Sequence, residues 1–178
     1  MIWLKPRVGR HSVRWRTSQA WWVRCEAVHA IWLSITLVTS GGRCVRRLIV
    51  DAGPFVALVR ASDRHHQAAA RFFRNFSGPL ITTVAVIAEV CALLPPRSAV
   101  AFLRDIGRGN VTLVHVPESE FPVLAAMMEK YADRPMDFAD ASLLWLADAL
   151  GLADIATLDG GFHIYRTRRG RTLRNRFL

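Results

Sequence analysis

Apolar positions between residues 47 and 165 fall into short continuous runs alternating with longer stretches in which they recur every three or four residues, the patterns of buried strands and of helices packed on one face. Leu48-Ile49-Val50 reads as a buried strand ending at Asp51, and Gly53-Pro54 turns the chain into a helix reaching about Arg60. Asp63 reads as the N-cap of a second helix, in which Ala68, Phe72, Phe73 and Phe76 share a face until Ser77-Gly78-Pro79 stops it. Residues 80–82 predict another strand, after which Thr83 caps a helix that carries Glu89 in its second turn and stops at Pro95-Pro96. The series continues with a helix over 98–106, a strand over 111–116, a helix opened by Pro117 and reaching Tyr131, a helix started by Asp137, a strand over 155–158 and a weak edge strand over 165–167. Strands alternating with helices predict an α/β domain in three layers, a central and mostly parallel sheet of four to five strands flanked by helices. No internal repeat interrupts the alternation.

Length and composition fit this picture, since 178 residues with 52% hydrophobic content suffice for one domain with a sizeable core. Three parts are expected: an N-terminal extension over 1–46, a body over 47–170 and a basic C-terminal tail over 171–178. The extension is rich in Trp and Arg, has no clean period and closes on Ser40-Gly41-Gly42. It reads as disordered, as leader-like, or as the product of a start set too far upstream. Its apolar stretch over 27–38 resembles the core of a secretory signal but is short of the roughly 20 residues a membrane span needs, so no membrane association is expected.

The formal charge of +10 suggests nucleic acid as a partner, yet residues 48–165 hold nine Lys or Arg against thirteen Asp or Glu. The body is therefore acidic, and the positive charge sits at the two ends. The Arg-rich stretch from 166 onward reads as a solvated tail, with guidance of RNA as the alternative. Cys25, Cys44 and Cys91 include no C-x-x-C pair, which argues against a disulfide framework or a zinc site and fits a reducing, cytoplasmic location.

The chemistry lies in the acids. In an open parallel sheet, ligands bind beyond the carboxyl ends of the strands. Asp51 and Asp159 stand at such ends, Glu89 lies within two helical turns of the second strand, and Asp140 occupies the first turn of the helix that leads toward the fourth. Four carboxylates remote in sequence are thus expected at one rim. Like charges a few ångström apart raise one another's pKa unless cations offset them. Oxygen ligands without His or Cys select Mg²⁺ or Mn²⁺, and an ion held there serves phosphodiester hydrolysis. Asp137 reads first as the N-cap of its helix, accepting from the Asp140 amide, and second as a further metal ligand. Asp148 and Asp154 read as exposed helix-end and loop residues. His65 and His66 point to different sides of a helix start, and His115 and His163 have no partner at ligand spacing.

With those acids placed, "LIVDAGPFVAL", "ITTVAVIAEVCALL", "MDFADASLLWLA" and "IATLDGGF" resemble, in the correct order, the four acidic blocks of PIN-domain ribonucleases, and of their VapC-like toxin branch in particular. The resemblance spans about 47–170. It implies a PIN-like fold and Mg²⁺- or Mn²⁺-dependent cleavage of RNA by the toxin of a type II toxin-antitoxin pair. Homodimers and a small antitoxin protein that covers the acids are implied with it. Asp51, Glu89, Asp140 and Asp159 match the four acids, the fourth being the least uniform within the family, and Thr157 matches the polar residue near it. The extension before Arg47 and the Gly160-Gly161 pair depart from the family pattern. Two other readings stand beside this one. A non-catalytic PIN-like module would bind RNA or protein alone, whereas a phospho-signalling receiver would need a Lys at the end of a late strand, and Lys130 falls in a helix.

Overall fold

A computed structural model of the chain describes residues 46–134 and 136–177. The N-terminal extension, apart from Arg46, therefore lies outside the described residues. Strand β1 (Leu48–Val50) runs into helix α1 (Ala52–Val59), followed by α2 (His66–Asn75), β2 (Leu80–Thr83), α3 (Val84–Leu93) and α4 (Pro96–Gly107). Then come β3 (Thr112–Val114), a 3-10 turn (Glu118–Glu120), α5 (Phe121–Lys130), α6 (Phe138–Leu150), β4 (Asp154–Ala156), a second 3-10 turn (Gly160–His163) and β5 (Arg174–Asn175). The five strands form one sheet in the order β3-β2-β1-β4-β5, and every neighbouring pair is parallel.

Hydrogen bonding and burial explain why β1 is central. It pairs with β2 on one edge and β4 on the other, and Leu48, Ile49 and Val50 are fully buried, each side chain contributing about 1.5–3 kcal/mol of burial energy. Helix α6 packs against β2, α3 and α5, with Leu143, Leu144 and Leu146 inaccessible to solvent. It ends at Gly151, whose φ of 65° places it in the left-handed region that glycine adopts without cost. Among the described residues no helix is long and apolar enough to cross a membrane.

The structure corrects several expectations. The edge strand is Arg174–Asn175 rather than 165–167. The last residues are consequently part of the sheet instead of a solvated tail: Leu173 and Phe177 are buried, and the Phe177 ring meets Phe72 edge-on at 5.3 Å. Asp154 is a buried β4 residue, not an exposed loop acid, and takes ion pairs from Arg174 at 2.9 Å, Arg176 at 3.2 Å and Arg46 at 3.9 Å. Two of the six arginines from residue 166 onward are thus paired with that one carboxylate. Asp148 is likewise mostly buried, accepting from the Arg168 amide and facing Arg171 at 3.9 Å. Asp63 caps no helix directly; its carboxylate accepts from the amide of His65, the residue that precedes α2.

Candidate active site

Strand order runs from β1 outward through β2 to β3, then returns across β1 to β4. The crevice beyond the ends of β1 and β4 is therefore the switch point at which parallel sheets hold ligands. Asp51 leaves β1 here. It is also the N-cap of α1, a role its sequence context did not call for: Oδ1 accepts from the Ala52 amide at 2.7 Å, and Oδ2 accepts from the Thr157 hydroxyl at 2.7 Å. Burial nevertheless pushes its carboxyl above the usual range, against the pull of those two hydrogen bonds, and the charges of Asp159 and Asp137 add to the rise.

Thr157 ties the crevice together. Its Oγ1 donates to Asp51 and accepts from the Asp159 amide at 2.8 Å, while Asn175 of β5 clamps both backbone groups of Thr157, accepting from its N–H at 3.3 Å and donating to its carbonyl at 3.0 Å. Asp159 caps the second 3-10 turn by accepting from the Gly161 amide at 2.9 Å. A Cβ on Gly161 would stand 2.8 Å from the Tyr165 ring, so glycine is what lets that ring close over the turn.

A second hydrogen-bond chain positions the remaining acids. Ser142 Oγ donates to the Ala139 carbonyl at 2.7 Å, which leaves the Thr83 hydroxyl to donate to Ser142 at 2.7 Å. Thr83 is the N-cap of α3, as its place in the sequence implied. The first turn of α6, with Asp140, is thereby fixed against the start of α3, which carries Glu89. Asp137 and Asp140 form a reciprocal capping box, Asp140 N–H donating to Asp137 at 2.8 Å and Asp137 N–H to Asp140 at 3.4 Å.

Electrostatics couples all five acids. Glu89 is pushed up to about 7, first by partial burial and then by the charges of Asp137, Asp51 and Asp159. Asp140 also rises to about 7, by burial and then by Asp137 and Asp51, against its bond to the Asp137 backbone. Among the described residues none of the five has a Lys or Arg within ion-pair distance. The oxygen-only donors and their mutual repulsion fit a hard divalent cation. Their side chains are not gathered around one, however: among the described residues no three His, Cys, Asp or Glu groups are arranged to hold a metal ion. Asp51, Asp137, Asp140 and Asp159 each turn one oxygen to an amide of their own neighbourhood.

Beside Glu89 and Asp137 opens a groove of about 490 Å³ lined by Val84, Ala88, His115, Val116, Phe121 and Phe138, the last two rings meeting edge-on at 5.8 Å. Asn175, Ser142 and Tyr165 were not singled out in the sequence. Asn175 did leave a trace, as the one uncharged polar residue between Arg174 and Arg176.

The chain is similar to known proteins. Ribonuclease VapC26 of Mycobacterium tuberculosis strain H37Rv is 28% identical over 116 residues, covering 63% of this chain and 86% of its own. The crystal structure of Mycobacterium tuberculosis VapC20, described as a sarcin-ricin loop cleaving toxin, superposes with a TM-score of 0.60 at 24% identity, covering 64% of this chain and 90% of that one. The PIN domain family model matches residues 48–167, from the first residue of β1 past the Tyr165 ring and across all five acids. On that match the chain belongs to the PIN domain family.

Proposed function

We propose that the chain is a divalent-metal-dependent endoribonuclease, the toxin of a type II toxin-antitoxin pair. The observation that carries this reading is the set of Asp51, Glu89 and Asp140, the last two pushed up to about 7 by burial and by the charges of Asp137, Asp51 and Asp159, and without basic partners among the described residues, beside the switch point of a PIN-domain sheet. A relative named as a ribonuclease and a structural neighbour described as a toxin support it. Asp51, Glu89 and Asp140 would hold the ion, with Asp137 as a further ligand and Asp159 supporting a second ion or the attacking water. A bound Mg²⁺ or Mn²⁺ supplies a Lewis acid for the phosphoryl oxygen and lowers the pKa of a coordinated water. Thr157 holds Asp51 in place through its hydroxyl, and the Thr83–Ser142 bond ties the start of α3, whose second turn carries Glu89, to the first turn of α6, which carries Asp140. An antitoxin covering the acids and a homodimer belong to the same reading.

Replacing Asp51 or Asp140 by Asn is expected to lower Mn²⁺-dependent cleavage of RNA by the purified protein more than about a hundredfold, since even outer-shell partners of a metal site are worth about 10- to 100-fold. Circular dichroism of the variants should remain native. Unchanged cleavage would remove these residues from the chemistry. The alternative is a binding module without catalysis, which would share this fold and hold no ion at the acids. Calorimetric titration separates the two, because a catalyst binds Mg²⁺ saturably at these acids and the module does not.

A further inference from the structure

A divalent ion on the acids would meet only the reacting phosphate, and the remaining carboxylates repel the neighbouring ones, so positive charge beside the rim would help to hold the rest of an RNA strand. One pocket supplies that charge. About 410 Å³ in volume, it runs along α5 from Pro122 to Lys130 beside the chain that follows the second 3-10 turn, and Lys130, Tyr131, Arg166 and Arg168 are among the residues that line it. Its cations differ in how far they are already neutralised. Arg168 faces Glu120 at 3.8 Å. Lys130 has no carboxylate within ion-pair distance among the described residues; its ammonium stands 5.2 Å from the centre of the Tyr131 ring. Arg166 is half-buried and anchored without a carboxylate, Nη1 donating to the carbonyls of His163 at 3.0 Å, Ile164 at 2.5 Å and Tyr165 at 3.0 Å. Two positive charges thus share one concave site with no countercharge of their own.

The pocket is joined to the rim by direct contacts. The Arg166 amide donates to the Tyr131 hydroxyl at 3.0 Å, and the Tyr131 ring lies 5.0 Å from that of Tyr165. Tyr165 in turn presses on Gly161, whose amide Asp159 accepts. The charges of Asp140, Asp159 and Asp137 reach the Tyr165 hydroxyl and raise its pKa, after the larger effect of burial. We propose that Lys130 and Arg166 form a subsite that binds a backbone phosphate of the RNA strand next to the acidic rim, with Tyr131 as its apolar floor. This rests on the nuclease reading above for the identity of the strand. Phosphate contacts position a strand without reading its sequence, so the subsite sets register and affinity but not base preference.

The test uses the full chain and a labelled single-stranded RNA of mixed sequence. Binding is measured in the cleavage-deficient Asp51→Asn background as a function of salt, with Lys130→Gln and Arg166→Gln as pocket variants, Lys130→Arg as the charge-retaining variant and Arg104→Gln on α4 as a control for net charge. Each pocket variant is expected to weaken binding several-fold and to flatten the slope of log K against log salt by about 0.7, the value for one phosphate contact on a single strand. Lys130→Arg should restore both, and in the otherwise native enzyme Lys130→Gln should raise KM while leaving kcat near its original value. Pocket variants that behave like Arg104→Gln overturn the subsite, even where native cleavage is intact. Loss of binding and salt slope in a protein that cleaves no RNA would retain the subsite and remove the nuclease reading. Lys130 is exposed at a helix end, so its variants remain informative if Arg166→Gln fails to fold.

Discussion

The Thr157 hydroxyl holds together two acids that the chain separates by more than a hundred residues, donating to Asp51 and accepting from the Asp159 amide. Thr157→Val keeps the shape and removes both bonds. It should cut RNA cleavage about 10- to 100-fold, the usual worth of an outer-shell partner, and steady-state rates at saturating Mn²⁺ would show it. Gly161→Ala should also impair cleavage, because the new methyl displaces the Tyr165 ring, and loss of near-ultraviolet tyrosine dichroism would mark that displacement. The acids themselves were legible as residues, since a carboxylate that ends an apolar run needs a reason. Their partners were not. A hydrogen bond across 106 positions, or a ring resting on a glycine four residues back, has no local signature.

At the scale of elements, alternating periods located β1, β2, α3, α4 and α6 closely, because each has a strong pattern and a clear stop or cap. The misreading concerned β5. Its two residues are too few for a period, and the surrounding arginines have the composition of a solvated tail. Only the buried Asp154 on the neighbouring strand explains why those arginines are ordered. Asp154→Asn is expected to destabilise the fold by about 1–2 kcal/mol, less than the 3–5 kcal/mol typical of breaking a fully buried pair, because two of the three arginines left behind, Arg46 and Arg174, are largely solvated. Chemical denaturation would measure the difference. Removal of the Asn175 side chain should lower cleavage and also cost stability, about 1–3 kcal/mol for a buried group left unpaired, since it bonds both backbone groups of Thr157 and the Phe177 amide.

For the molecule as a whole, the rim of carboxylates makes folding depend on protons and cations. Folded Glu89 and Asp140 release their protons near 7, against ordinary values of 4.5 and 3.8. Between those limits the native state binds more protons than the unfolded chain, so stability falls as pH rises through the window and levels off above it. The metal-free protein should therefore melt at a lower temperature at pH 8 than at pH 5. Glu89→Gln should reduce that slope, and millimolar Mg²⁺ should raise the melting temperature at pH 8 more than at pH 5, as scanning calorimetry would show. A second consequence follows from the two-residue β5, the shortest strand and an edge of the sheet. Local opening is cheapest at such a margin, far below the free energy of global unfolding. Peeling it away would release Thr157 from its clamp while the inner strands remain paired. Gentle warming should accordingly silence the enzyme before it melts, so that catalytic lifetime, rather than helical content, reports the health of the fold.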